Sequence, residues 1–296
     1  MLQILAGPLL SERTTLRLGG RALAEVRLTE KSHYDALPQT LQRIGGTPVM
    51  LGCGSNILAH GGELPLVVVT PAVEEEPCIV GEDADGVLVR VGAAMRLPRL
   101  LGQLANWGLG GLEGLAGIPG SVGGAIAMNA GSYGCEMGAV LDAVEIFSPH
   151  LGLVVLGREH FRYGYRHFSL VQHEGWFVVT GGVLRVQRSD KAVIAGAMRS
   201  NYLKKKATQP VLAHSAGCVF RNPAPGVSTG KLLDEAGFRG RALGGMAFSE
   251  MHANFLVNQG NGTSEEAFEL IELARVAVSA LHRITVELEV KVLPWQ

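Results

Sequence analysis

The sequence predicts an α+β protein assembled from two or three packed units, and three observations carry that prediction. The chain has 296 residues, long for a single hydrophobic core. Short apolar runs with strand alternation are interleaved along it with runs at helical spacing. A glycine-dense stretch, GLEGLAGIPGSVGGAIAMNAGSYG from Gly111 to Gly134, lies among them without becoming low-complexity. Its intervening Leu, Ile, Val and Met are core residues, so the glycines serve the backbone of a buried loop. Buried N–H groups need acceptors, which a bound ligand such as a pyrophosphate would supply.

The elements follow in order. MLQILAGPLL is apolar but lacks a positive start and a small-residue cleavage site, so it does not read as a signal peptide. No apolar run reaches the ~18 residues of a membrane span, and a soluble protein is expected. LAEVRL from Leu23 alternates as a half-buried strand does, and PVMLG ends a second strand just before Gly52. Leu66 to Val69 and Gly86 to Val91 read as further strands. Leu97, Leu100, Leu101 and Leu104 predict a helix between Met95 and Trp107, closed by Gly108. VLDAVEIFSP and LGLVVLGRE read as a strand pair, and WFVVTGGVLRVQR as one or two long strands. A helix is expected from Asp190 to about Lys206, with KKKATQP leading into a second small αβ unit. Thr263 and Glu266 have capping-box spacing ahead of an amphipathic helix, and ITVELEVKV alternates as a terminal strand.

Charge and cysteine usage narrow the function. The 40 glycines are about twice the usual share of roughly 7%, yet the 13 prolines are ordinary and no strict period exists, which excludes collagen-like and disordered classes. The formal net charge is −1 with no long block of one sign, so no nucleic-acid track is expected. Lys204, Lys205 and Lys206 read as a solvated helix face. Cys53, Cys78, Cys135 and Cys218 are scattered without a CxxC or Cys/His pattern, so neither a metal site nor a disulfide framework is expected, and a reducing cytoplasm fits.

Several motifs carry possible chemistry. LGCGSN places Gly52, Cys53, Gly54, Ser55 and Asn56 after a strand, offering consecutive N–H donors to a diphosphate; alone, such a turn is more often only a turn. GVSTGKLL is not a P-loop, because three residues separate Gly226 from Gly230 and Leu232 stands where the metal-binding hydroxyl belongs. Tyr165 and Arg166 in YGYRHFS read by themselves as a stacked surface pair. Cys218 in HSAGCVFRNP, with Asn222 four residues on, reads as a small buried hydrophobe. Glu287 and Glu289 in VELEV share a face, by default the wet one.

Taken in order, LGCGSN, the Gly111 to Gly134 run, YGYR, SAGCVFRNP, SEMHANFLVN and ELEVKV resemble the UDP-N-acetylenolpyruvoylglucosamine reductases, flavoenzymes of peptidoglycan precursor synthesis. The resemblance spans Thr14 to Lys291. It implies an FAD-binding fold of the vanillyl-alcohol-oxidase type, with two α/β subdomains (1–70 and 71–188) and a C-terminal αβ substrate-binding domain (189–296) whose last strand returns to the FAD site. It implies noncovalent FAD held by Gly52, Cys53, Gly54, Ser55 and Asn56 together with Ile118, Pro119, Gly120, Ser121, Gly123 and Gly124. NADPH is the implied hydride donor. Arg166, Cys218 and Glu289 fall on catalytic positions, and Tyr165, Asn222 and His252 on substrate-side positions. Cys218 stands where the family usually has Ser, and the short interval from Arg166 to Cys218 matches the short, type II form.

The implied reaction explains these residue types. Reduction of an enolpyruvyl ether builds negative charge on the substrate carboxylate, which a fixed Arg stabilises more in the transition state than in the ground state. Glu289 helps polarise that carboxylate through a proton, water or cation. A neutral acid then protonates carbon; Cys, with an unperturbed pKa near ~8.5, is protonated at neutral pH and can replace Ser. Two rivals are a different FAD oxidoreductase on the same scaffold, acting on an alcohol or sugar, and a nucleotide-sugar-binding sensor without turnover.

Overall fold

The computed structural model describes residues 2–294; Met1, Trp295 and Gln296, at the ends of the expected segments, lie outside the described residues. The described chain is α+β. It separates into two compact units that cut across chain order: residues 2–5, Glu25–Cys53 and Val68–Lys204 in one, and Ala6–Ala24, Gly54–Val67 and 205–294 in the other.

The first unit is built on an antiparallel sheet in the order Gly152–Gly157, Leu141–Ser148, Val178–Arg188, Gly86–Gly92, Cys78–Asp83, with Leu109–Gly110 pairing the end of Val178–Arg188. WFVVTGGVLRVQR thus supplies one long strand. Val87, Val89 and Val91 alternate onto the core face, where they meet Leu97, Leu100, Leu101 and Leu104 of helix Leu97–Trp107 and Val122 and Ile126 of helix Val122–Ala127. Gly108 ends the first of these helices in the left-handed region, as the sequence predicts. A second sheet orders Gln3–Ala6, Arg21–Leu28, Glu63–Pro71 and Thr47–Met50.

Helix His33–Ile44 carries Pro38 in its interior. Proline removes a helical N–H there and disfavours the conformation, yet Tyr34, Leu37 and Leu41 share a buried face that holds the helix. In the same unit Glu145 is buried and forms a two-point ion pair with Arg90, which also reaches Glu75. Those carboxylates hold the Arg90 guanidinium above its ordinary pKa.

The second unit is an antiparallel sheet ordered His214–Cys218, Phe255–Asn258, Met246–Phe248, Ala242–Leu243. Helices Thr229–Glu235 and Ser264–His282 close its core through Leu233, Ala267, Leu270, Ala274 and Val278. The long helix begins on the expected capping box: Thr263 Oγ1 accepts the Glu266 N–H, and Glu266 Oε2 accepts the Thr263 N–H.

Two expectations are corrected here. ITVELEVKV does not form one strand: only Lys291–Leu293 pairs, in parallel, with Ile57–Ala59. Before it, the N–H groups of Glu289 and Val290 both donate to the Val219 carbonyl, and a single bridge joins Leu288 to Phe220, so the ladder is broken and the alternation with it. Glu287 is accordingly exposed and Glu289 buried. Nor are Lys204 to Lys206 uniformly solvated. Helix Lys191–Thr208 buries Lys205 to 3% exposure while Lys204 and Lys206 stay outside.

Candidate flavin and catalytic site

Gly52 and Cys53, the start of one glycine-rich turn, meet the Ile118 to Gly124 turn within the first unit. Thr47–Met50 delivers the chain into Gly52, and an added Cβ on Gly52 would lie 2.4 Å from Ser121 Oγ. A side chain at position 52 would displace the Ser121 hydroxyl from the helix cap it forms, so glycine here keeps the Ile118 to Gly124 turn intact against it. Ser121 caps helix Val122–Ala127, its Oγ accepting the Gly124 N–H, while Leu97 N–H donates to Gly120 O and Gly123 N–H to Ala93 O. The Gly52 and Cys53 N–H groups have no hydrogen-bond partner among the described residues. Unpaired amides beside a tightly packed glycine turn are the donor set a diphosphate requires. The residues present therefore fit FAD.

One neighbour was not singled out from the sequence. Arg96, which begins helix Leu97–Trp107, bonds the Cys53 thiol. Burial pushes that thiol above its ordinary pKa, with Arg96 opposing. The signal was present in RLPRL, an arginine just before a helix that starts with Pro at its second position, but nothing in sequence places it beside residue 53.

Gly54, Ser55 and Asn56 belong to the second unit, where Gly54 takes φ +62° and its carbonyl accepts the Thr15 N–H. Asn56 does not simply present its amide to a ligand. Its Nδ2 donates to Glu289 O (3.2 Å) and its carbonyl accepts Lys291 N–H (2.9 Å), tying the turn to the last strand. The structure therefore brings Asn56 and Glu289 together, a link invisible across 233 residues. Burial, reinforced by the charge of Arg221, lowers the Lys291 ammonium pKa.

Cys218 ends strand His214–Cys218 at a bulge. Ser215 pairs with Val257 and Cys218 with Phe255, so one extra residue is accommodated at Ala216–Gly217, where Gly217 takes φ +80°. The segment after it is held by Asn254, buried to 2%, whose Oδ1 accepts Phe220 N–H and whose Nδ2 donates to Phe220 O. Asn222 is exposed, its Oδ1 accepting the Thr229 N–H at the start of helix Thr229–Glu235.

His252 sits half-buried against Phe255, with Nδ1 accepting the Asn254 N–H. Burial lowers its pKa, and the charge of Arg239 adds to the effect. A neutral ring in the native state means that the unfolded chain binds the proton first, so stability falls as pH drops below about 6.5. His252→Asn should flatten the acid side of the urea-midpoint profile between about pH 7.5 and 5.5. An unchanged profile would place the titration elsewhere.

Tyr165 and Arg166 form the tip of a hairpin in the first unit, between Phe161–Gly164 and His167–Leu170. Arg166 takes φ +52°, its guanidinium lies 5.3 Å from the Tyr165 ring centroid, and Nη1 donates to Gly131 O. The stacked pair expected from sequence is therefore real. Beside it lies an open cavity of about 330 Å³ lined by Gly131, Ser132, Cys135, Glu136, Tyr165 and Arg166.

Comparison with known proteins agrees along the whole chain. Residues 34–155 match an FAD binding domain and 209–293 the C-terminal domain of UDP-N-acetylenolpyruvoylglucosamine reductase. The chain is 66% identical to the reductase of that name from Nitratidesulfovibrio vulgaris, covering 100% of both, and 59% identical to that of Oleidesulfovibrio alaskensis, covering 99% of both. The solved reductase from Thermus caldophilus superposes with TM-score 0.81 at 33% identity over 100% of both chains. The fold is thus the α+β FAD-binding architecture expected from the sequence, and the chain belongs to the UDP-N-acetylenolpyruvoylglucosamine reductase family.

Proposed function

We infer that this protein is an NADPH-dependent flavoenzyme that reduces the enolpyruvyl ether of UDP-N-acetylglucosamine enolpyruvate to UDP-N-acetylmuramate, in peptidoglycan precursor synthesis. Full-length identity of 66% to a reductase of that name carries the reading. FAD, when bound, would supply the two-electron chemistry linking NADPH to the alkene. Gly52, Cys53, Gly54 and Ser55 hold its diphosphate with the Ile118, Pro119, Gly120, Ser121, Gly123 and Gly124 turn, and Asn56 fixes the turn to the chain end.

Arg166 stabilises the charge that grows on the substrate carboxylate, and its hydrogen bond to Gly131 O limits where the guanidinium can point. Glu289 polarises the same carboxylate through a shared proton or a bridging water. Cys218 gives its S–H proton to carbon, and solvent restores it. Tyr165 and Asn222 bind substrate; His252 reaches it through Nε2, since Nδ1 is engaged by Asn254. We assign 1–70 and 71–188 to flavin binding and 189–296 to substrate binding. Among the described residues no helix is long and apolar enough to cross a membrane, and none of the four cysteines is in a disulfide, which supports a cytoplasmic enzyme.

Anaerobic absorption spectroscopy tests the reading. The purified protein should be yellow, NADPH should bleach it, and UDP-N-acetylglucosamine enolpyruvate should restore the colour. Heat or acid should leave the flavin in the supernatant, as noncovalent binding requires. Bleached protein that the enolpyruvyl ether fails to reoxidise would favour an oxidoreductase of another alcohol or sugar, and a colourless protein would favour a sensor.

A further inference from the structure

We propose that Asn129 is a positioning residue for Arg166, clamping the hairpin tip from which the guanidinium projects; this rests on the role given to Arg166 above. Asn129 lies in the MNAGSYG part of the glycine-dense run and is only 2% exposed. Its single carboxamide makes three hydrogen bonds. Oδ1 accepts the Gly138 N–H at 2.8 Å, and Nδ2 donates to Gly164 O at 2.9 Å and to Glu136 Oε2 at 3.1 Å.

Gly164 pairs with His167, with Tyr165 and Arg166 forming the two-residue tip between them, so the bond to Gly164 O fixes the last ladder residue before Arg166. Further contacts join the same two segments. Arg166 Nη1 donates to Gly131 O, two residues beyond Asn129. At Gly138 an added Cβ would lie 2.5 Å from the Tyr163 ring and 2.9 Å from Asn129 Oδ1, so the loop approaches the hairpin as closely as a backbone can.

The catalytic end of the clamp is not a relaxed conformation, whereas Asn129 is a residue type suited to its own. Asn129 has φ +40° and Arg166 φ +52°, a region that side chains other than Asn and Asp visit rarely. The tip therefore depends on surrounding contacts, and Asn129 supplies one of them at the residue just before Tyr165. Arginine is long, so a small rotation at its Cα becomes a large displacement at its guanidinium. Misplacing a catalytic group by about 1 Å costs on the order of 10²-fold in rate.

A buried asparagine that only satisfied a loop amide would lower stability and slow both half-reactions together. The test therefore separates the half-reactions in the flavin-loaded enzyme. Asn129→Asp keeps the acceptor for Gly138 N–H but cannot donate to Gly164 O or Glu136. Asn129→Gly keeps the backbone conformation and removes the clamp. Each is compared by anaerobic stopped flow with the unsubstituted enzyme, with Arg166→Ala, and with the Asn129→Asp/Arg166→Ala double variant.

Flavin reduction by NADPH should stay within about twofold, while reoxidation by UDP-N-acetylglucosamine enolpyruvate slows by roughly 10- to 100-fold. In the Arg166→Ala background, Asn129→Asp should add little, because the group it positions is gone. Reoxidation at the normal rate, equal slowing of both half-reactions, or the full effect persisting without Arg166 would each overturn the proposal. If Arg166→Ala itself leaves reoxidation untouched, the role of Arg166 fails and the proposal fails with it; an inert Asn129 beside a damaging Arg166→Ala overturns the proposal alone. Should Asn129→Asp not retain flavin, Asn129→Gly decides, and loss of flavin from both makes Asn129 a folding residue instead.

Discussion

Cys218→Ala should still be bleached by NADPH at the normal rate and then fail to return its electrons, reoxidation by the enolpyruvyl ether falling toward the upper end of the roughly 10²- to 10⁴-fold expected for loss of a general acid. Cys218→Ser should keep substantial turnover, since a hydroxyl supplies a proton from nearly the same place. An alkylating reagent should block turnover in proportion to labelling at Cys218, and the Ser variant should resist it at that position. Stopped-flow traces of both half-reactions, with mass spectrometry of the labelled peptide, make the measurement. Full activity of the Ala variant would reduce Cys218 to a space-filling thiol and assign the proton to water or another side chain.

The second large effect belongs to the charged pair. Arg166→Ala removes the cation that meets the developing carboxylate charge, an interaction of the kind worth about 10²- to 10³-fold. Glu289→Gln keeps shape and polarity but loses the ionisable group. Both variants should bind flavin and accept electrons from NADPH normally, because neither residue lies in the proposed cradle, and both should slow reoxidation by substrate. Arg166→Lys should recover only part of the loss, as a point charge cannot reproduce the planar fork. Slowing of the NADPH step to the same degree would refute the assigned roles.

The readable parts of this chain were those where one local rule decided the outcome. Helix Ser264–His282 was announced by Thr263 and Glu266, and Leu97–Trp107 by its leucine spacing and Gly108. Helix His33–Ile44 was not, because Pro38 argues against it locally and only the burial of Tyr34, Leu37 and Leu41 overrides that. Alternation misled at VELEV: two residues bonding one carbonyl of Val219 cannot be inferred from a pattern of period two. Both glycine turns were recognisable as candidate cradles, but that Gly52 lies against Ser121 is a tertiary fact. Asn129 stands in the glycine-dense run itself. Its importance comes from Gly164, 35 residues away, which no reading of neighbours supplies.

The bulge at Ala216–Gly217 gives position 218 a dependence on backbone shape as well as on chemistry. Three steps along His214–Cys218 from Ser215 correspond to two along Phe255–Asn258, so the bulge absorbs the extra residue and keeps Cys218 opposite Phe255 while bending the strand just before the thiol. Deleting either Ala216 or Gly217 would leave residue 218 opposite Phe255 with its identity unchanged, but would straighten the strand and remove the local twist that aims its side chain. The side chain at 218 can therefore be changed from thiol to hydroxyl without touching what aims it, whereas a change of length in the two residues before it re-aims the group with no change of chemistry.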